Sequence, residues 1–510
     1  MTQIRQERLG SPAKPDADVV IVGAGPSGMA AATELAGAGC SVVVLDMQPA
    51  PGGQIYRAIE ANFTDDARPD DLRAALGPSY AAGMALVRRF RAATIDYRPL
   101  TTVWEVRSDG TVGWLRGSQA GYLRAHHVLL ANGAMERPTP FPGWTLPGVM
   151  TAGAVQILLK AGRLKPKERI VLAGTGPLLL LLADQLRRLG VKPVVIARTD
   201  RLRNHIKALR HLRPAVLLPL AKGLGWLARL RLARIDLASG ISNLAAEGTG
   251  KVERISYSIG HRRHAYPCDL LVVHDGIVPL IDLAQSADLV LEWDRANASW
   301  RPKTSFDGMA IPVGAAGRAG QPYKVRVTGD ARCIGGADAA IAHGMLAAEA
   351  ILSDLDKTPG ATAHSRGAAV KRAIAVRLFL DAAFPPGLSE GLPSGDTIVC
   401  RCEELTAGAL RVKIGAGILD MNQLRGETRC GMGPCQGRNC MITVARLISE
   451  FAALPAPVPF SVFRARPPAR PLPLAALANL TGLDPEAAKL SALGDKPEHV
   501  VGENDHAPAC

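Results

Sequence analysis

The residues best suited to chemistry lie toward the end of the chain. There Cys400-Arg401-Cys402-Glu403-Glu404 is followed by Cys430-Gly431-Met432-Gly433-Pro434-Cys435-Gln436-Gly437-Arg438-Asn439-Cys440. Five of nine cysteines fall within 41 residues, and glycines separate the later thiols. Thiolates are soft donors, and several of them converging on one centre need a backbone that bends tightly, which glycine permits. A disulfide framework accounts for the pattern poorly, because Cys40, Cys268, Cys333 and Cys510 are scattered singly along a 510-residue chain. Four thiolates suit either an iron-sulfur centre or a structural zinc.

The element most legible in the sequence is near the start. Asp18-Val19-Val20-Ile21-Val22 reads as a buried parallel strand running into Gly23-Ala24-Gly25-Pro26-Ser27-Gly28 and an alanine-rich helix to about Ala38. A second apolar strand, Ser41 to Leu45, ends at Asp46. Gly23 makes the turn, Gly25 lets a pyrophosphate approach the backbone, and Gly28 lets the helix pack on the strand. The helix N-terminus would hold the phosphates and Asp46 the ribose hydroxyls. Strand, helix, second strand and terminal acid agree, so the segment predicts a dinucleotide site.

The pattern recurs in altered form at Ile170-Val171-Leu172-Ala173-Gly174-Thr175-Gly176-Pro177-Leu178-Leu179, with another strand at Pro193 to Ala197. Leu179 takes the third glycine position and should push the helix off the strand; Arg198 takes the acid position. Two readings stay open. Gly174 and Gly176 either line a working pocket for NAD, NADP or an adenine nucleotide such as ATP, or belong to a retained fold that binds nothing.

A second nucleotide fold inserted in the first is the plan of the two-dinucleotide-binding-domain flavoproteins, and the sequence resembles that family through further motifs. Val128-Leu129-Leu130-Ala131-Asn132-Gly133-Ala134 resembles its strand-and-glycine crossover, and Val325-Arg326-Val327-Thr328-Gly329-Asp330 its late flavin motif. The resemblance implies an FAD site built from Gly23, Gly25, Pro26, Ser27, Gly28, Asp46, Asn132, Gly133, Gly329 and Asp330, with Gly53, Gln54 and Arg57 beside the flavin ring. It also implies an α/β fold of two Rossmann-like domains plus a small helical C-terminal module. The expected divisions are 1–150 and 273–384 for the FAD domain, 151–272 for the insertion, 385–455 for the cysteine module and 456–510 for a proline-rich extended tail. No paired cysteines occur near Gly52-Gly53 or in the insertion, which speaks against a thiol-disulfide relay.

The cysteine spacing resembles the 2Fe-2S domain of bacterioferritin-associated ferredoxin, except that the last pair is Cys435-x4-Cys440. The resemblance implies Cys400, Cys402, Cys435 and Cys440 as ligands and leaves Cys430 as a spare. Taken with Asn132 to Val149 and the Gly174 loop, the chain resembles the larger subunits of heteromeric flavin dehydrogenases of opines, glycine, proline, hydroxyproline and sarcosine. In that family a smaller flavoprotein subunit, similar to D-amino-acid oxidases, oxidises the C-N bond of an amine or amino acid. The larger subunit is then expected to relay electrons through FAD and a 2Fe-2S cluster to an acceptor. A stand-alone NAD(P)H-dependent ferredoxin-type reductase and a non-catalytic redox scaffold are the other readings.

Composition narrows the remaining classes. The start, Met1 to Asp16, has no apolar segment behind a basic one, so cytoplasmic residence is expected, with membrane contact at most peripheral. Net charge is +14, yet no helix-turn-helix, zinc-finger or aromatic pattern points to nucleic acid. Between Arg198 and Arg234, ten Lys or Arg residues meet the single acid Asp200, with leucines interleaved. That stretch reads as a solvated face, a partner interface or an anionic-membrane contact. His126, His127, His274 and His343 have no recognisable partner in sequence and are expected to be satisfied structural or surface histidines, and Glu403 and Glu404 are expected in the first turn of a helix. No catalytic base is named. The stretch from Pro455 to Pro473 is expected to dock, extended across a subunit surface, rather than swing as a free linker.

Overall fold

The computed structural model describes residues 15–480 apart from 65–69, 163, 167–168, 314–323, 359–362, 389–390, 454–461 and 479. The last part of the expected tail therefore lies outside the described residues.

Strand β1 (Ala17–Val22) is almost wholly buried, as its unbroken valine and isoleucine run requires of a strand covered on both faces. It leads into helix α1 (Pro26–Gly37), and β2 (Val42–Leu45) follows in parallel beside β1. Strands β3 (Asp96–Arg98), β4 (Thr101–Val106), β5 (Thr111–Arg116) and β6 (Gln119–Leu130) complete the order β3-β2-β1-β6-β5-β4. The first half of β6 pairs antiparallel with β5, and its second half runs parallel to β1, with Leu130 opposite Val22.

Between β6 and the return of the chain to this sheet stands a second, all-parallel sheet. It contains β7 (Val149–Thr151), β8 (Ile170–Gly174), β9 (Val195–Arg198), β10 (Asp236–Ser239) and β11 (Leu270–His274), in the order β10-β9-β8-β11-β7. Its helices are α2 (Ala152–Lys160), α3 (Pro177–Arg188), α4 (Leu202–Ala208) and α5 (Pro214–Leu232). The chain leaves and re-enters the first sheet side by side, because Ala134–Glu136 pairs antiparallel with Ile277–Pro279.

Strand β12 (Lys324–Val327) then joins β6 in parallel, with Val327 opposite Leu130. Val22, Leu130 and Val327 thus end in one row, and the three segments that follow them share one edge of the sheet. Helix α6 (Ala337–Asp354) packs along α1. Helix α7 (Ala363–Ala383) lies against α4 and α5.

The cysteine module holds α8 (Ala407–Gly415), α9 (Met421–Thr428) and α10 (Met441–Phe451). Its core is continuous with the crossover: Val278, Ile281 and Trp300 pack in one cluster with Leu410, Leu424 and Val444. Residues 454–461, the start of the proline-rich stretch, lie outside the described residues; the part after Phe463 docks on its own chain. Ala469 is buried and its N–H donates to Trp104 O at 2.7 Å, so the segment straps the module to β4.

Candidate redox site

At the shared edge the first glycine loop has the geometry its residues require. Gly23 sits at φ +107°, where a Cβ would meet Ala131 O at 2.5 Å; a Cβ at Gly28 would run into Gly23 O. Gly25 is different, for its nearest neighbour is Gly53 Cα at 3.9 Å, so backbone lies open there. Gly25 also begins α1 without a side-chain cap, leaving the first-turn N–H groups for an anion.

Around this opening the other motifs assemble. Ser27 Oγ and Thr328 Oγ1 share a hydrogen bond of 2.8 Å, and a Cβ on Gly329 would stand 2.8 Å from Ser27 Cβ. Asp330 accepts N–H bonds from Gly335 (2.8 Å) and Gly336 (3.2 Å) just ahead of α6. Desolvation nevertheless raises its carboxyl above the usual range. Asp46 is buried at the end of β2, where it accepts from Ala24 N at 2.7 Å and Gln48 N at 2.8 Å. Burial raises its carboxyl too. Arg57 donates to Gln48 Oε1. On the far side Asn132 Nδ2 donates to Leu280 O at 3.0 Å, and Gly133 O accepts from Leu280 N at 3.1 Å.

Lys160 is a contributor that sequence reasoning missed. It is buried on α2 of the inserted unit, and its ammonium donates to Gln54 O at 3.3 Å and Ile55 O at 3.0 Å. Desolvation brings it down to about 8. No spacing in the sequence ties residues 54 and 160; the tie exists because α2 packs under that loop.

In the second sheet Gly174 (φ +131°) and Gly176 (φ +95°) form the expected turn ahead of α3. The expectation that Leu179 disrupts this unit is corrected. It is fully buried in a cluster with Ile170, Leu172 and Leu182, and so serves the core. Arg198 folds back on its own sheet, with Nη2 donating to Ser239 Oγ at 2.6 Å and Nη1 3.5 Å from Asp200 Oδ2. The chain's own residues pack beside the ends of β8 and β9. The N–H groups of Gly387 and Leu388 donate to Asp275 Oδ1 at 2.8 and 2.9 Å, and Gly387 lies so close on Thr199 that a Cβ would collide with Oγ1.

His274 is a satisfied structural histidine, as expected: its Nδ1 lies 2.8 Å from Glu136 Oε1, while Glu136 Oε2 accepts from Gly153 N at 2.7 Å. This buried pair locks the crossover to the second sheet. His127 and His343 are buried and desolvated down to about 4 each, so both are neutral near pH 7.

All five cysteines of the C-terminal group converge. The sulfurs of Cys400, Cys430 and Cys440 lie within 4.8 Å of one another, with Cys430 and Cys440 3.8 Å apart. Cys430 is therefore an inner member of the group and no bystander. Cys400 is pulled far down by S–H donation from Cys430 and Cys440, aided by the Gly431 and Glu403 amides, whereas Cys430 and Cys440 are pushed up. Cys402 and Cys435 adjoin each other on the outer side, Cys402 exposed and Cys435 partly so. The glycines make this wrapping feasible. A Cβ on Gly433 would strike Cys402, and one on Gly431 (φ +82°) would press on the buried Phe463 ring at 3.0 Å. Glu403 and Glu404 stand in the turn before the helix and not in it: α8 starts at Ala407 with Thr406 as its cap. Glu403 instead pairs with Arg429 at 2.9 Å.

The thiol loop and the shared edge meet. Arg438 Nη1 lies 3.3 Å from Asp282 Oδ2, and Arg470 reaches the same carboxylate. Asp282 is two residues past Leu280, the partner of Asn132 and Gly133.

Comparison with known proteins agrees with this architecture. Residues 17–305 match the pyridine nucleotide-disulphide oxidoreductase family, and residues 394–480 match the sarcosine oxidase A3 domain. The chain is 38% identical to an opine oxidase subunit of Agrobacterium tumefaciens over 96% of both chains. It is 32% identical to hydrogen cyanide synthase subunit HcnB of Pseudomonas aeruginosa over 83% of this chain and 90% of that one. The L-proline dehydrogenase of P. horikoshii shares its fold, with a TM-score of 0.61 at 20% identity over 90% of this chain and 79% of that one. The chain belongs to the pyridine nucleotide-disulphide oxidoreductase family of flavin-dependent oxidoreductases, in the group that contains HcnB and the Agrobacterium opine oxidase subunit.

Proposed function

We propose that this chain is the electron-transfer subunit of a heteromeric dehydrogenase acting on the C-N bond of an opine or related amino acid, and that a smaller flavoprotein subunit carries out the substrate oxidation. The observation that carries this reading is the direct junction between the two candidate cofactor sites. Asp282 holds the thiol loop through Arg438, and the same segment is hydrogen-bonded to Asn132 and Gly133 through Leu280. Relatives that are themselves named as subunits, of opine oxidase and of hydrogen cyanide synthase, support the division between chains.

The donor groups fit the cofactors. FAD would be held by the open α1 N-terminus at Gly25, Pro26, Ser27 and Gly28, by Asp46 for the ribose, and by Gly329 and Asp330, with Gly53, Gln54 and Arg57 bordering the ring. A 2Fe-2S cluster would take Cys400, Cys402, Cys435 and Cys440, with the Cys430 thiol donating to a ligand sulfur. Bound together, a flavin and an iron-sulfur centre convert a two-electron input into single-electron output. The residues present orient and insulate. Asp46 and Gln48 would order the ribose end, Lys160 holds the Gln54 and Ile55 carbonyls, and the buried Phe463 ring packs on Gly431 and Gly437 beside the inner thiols. The exposed Cys402 marks the outlet side.

An NAD(P)H-dependent reductase fits less well, because Gly387 and Leu388 close on Asp275 and Thr199 beside the second glycine loop. Co-expression of the chain with a D-amino-acid-oxidase-like subunit, followed by dehydrogenase assays with opines, proline and glycine and a dye acceptor, tests the division of labour. Turnover only in the complex is expected; equal turnover by the chain alone would refute it.

A further inference from the structure

We propose that helices α4 and α5 rest on an anionic phospholipid surface, their leucines entering the interface and their lysines and arginines lying over the headgroups. The structure turns outward the apolar residues that a solvated helix would hide. On α4 and the turn after it, Leu202, Ile206 and Leu209 recur at helical spacing and are 75%, 59% and 58% exposed. Beside them Arg203, Lys207 and Arg210 recur at the same spacing, also exposed. On α5, Leu217, Leu224 and Leu232 are 56%, 57% and 84% exposed, with Lys222 and Arg231 alongside.

These leucines are not needed by the core. Helices α4 and α5 pack through other positions: Ala208 and Val216 bury against Phe379 and Ala383 of α7, and Leu230 enters the core of the second sheet. The sign of the charge is undiluted. Acids near these helices are paired: Asp200 lies beside Arg198 and His205, Asp184 beside Arg187, Arg188 and Arg229, and Asp381 of α7 beside Arg377. From Leu202 to Arg234 the chain has no Ser, Thr, Gln, Asp or Glu, and Asn204 is its one uncharged amide side chain. A protein partner calls for acceptors and donors spread over the contact. A surface dominated by aliphatic side chains, lysine and arginine matches a lipid interface, with no helix among the described residues long and apolar enough to cross it.

The test is flotation of the full-length, flavin-loaded chain, alone and with its co-expressed partner subunit. Vesicles of equal parts phosphatidylglycerol and phosphatidylcholine are compared with phosphatidylcholine alone. Binding to the anionic vesicles only, weakened by added salt, is expected. The charge-reversed variant Arg203→Glu, Lys207→Glu, Arg210→Glu should bind roughly ten-fold more weakly or worse. Leu217→Gln with Leu224→Gln should also lose binding, while both variants keep wild-type flavin absorbance because the changed side chains face outward. Failure to float on either vesicle, equal flotation on neutral ones, or unchanged flotation of both variants would overturn the proposal. So would loss of the partner subunit from the leucine variant with flotation intact, which would make the surface a protein interface.

Discussion

Arg438, three residues past Cys435 in the thiol loop, forms an ion pair with Asp282 at 3.3 Å, and Asp282 stands two residues beyond the backbone partner of Asn132 and Gly133. Asp282 is 6% exposed and also receives Arg470 from the proline-rich strap. One carboxylate thus gathers three distant parts of the chain. Asp282→Ala should cost about 3 kcal/mol, because it strands two partly buried guanidinium groups. The measurement is the urea midpoint of the flavin-loaded protein; a midpoint unmoved by the substitution would show the module to be held by packing alone.

Gly25 and Gly28 of the first loop should fail in different ways. Gly25→Ala meets only open backbone and should leave the apoprotein within about 0.5 kcal/mol of wild type while abolishing flavin binding. Gly28→Ala drives a methyl into Gly23 O and should cost about 1–3 kcal/mol as well. Flavin content per chain and thermal unfolding separate the two.

Among the thiols, Cys440→Ser should remove iron and acid-labile sulfide, whereas Cys430→Ser should keep both and shift the EPR line shape of the dithionite-reduced protein. Equal iron loss in the two variants would make Cys430 a ligand. Zinc without iron in the wild type would replace the relay by a structural site.

Acid should weaken the fold through two histidines. His127 and His343 sit at about 4 in the folded chain, chiefly from desolvation, against 6.5 when unfolded. Between those values the unfolded state binds more protons, so stability is fully present above about pH 6.5 and is lost as pH falls toward 4. Each contributes up to about 3 kcal/mol over that window. His343→Gln should flatten the acid limb of a stability-pH curve measured by urea unfolding.

With Gly387 and Leu388 closing on Asp275 beside the ends of β8 and β9, excess NADH or NADPH should leave the flavin oxidised in anaerobic stopped-flow. Rapid bleaching would restore the reductase reading.

Much of this molecule was readable in one dimension. The strand-loop-helix run from Asp18 to Asp46 is contiguous, so its hydrophobic period and glycine positions specified the first nucleotide fold before any long-range contact formed. The thiol group was equally plain, because cysteines that crowd along the chain seldom serve separate ends. Sequence could not reveal pairs such as Glu136 with His274, or Lys160 with the Gln54 carbonyl, whose partners lie more than 100 residues apart. Nor could it say which face of the helices between 202 and 232 is covered, since leucines on both faces give no period to read. Those outcomes depend on which surfaces the two sheets, α7 and the proline-rich strap bring together. The local pattern determined the glycine-loop elements, and only tertiary packing decided that Cys430 joins the inner thiols, that Gly387 and Leu388 close on Asp275 beside the second glycine loop, and that a leucine-arginine face is left outward.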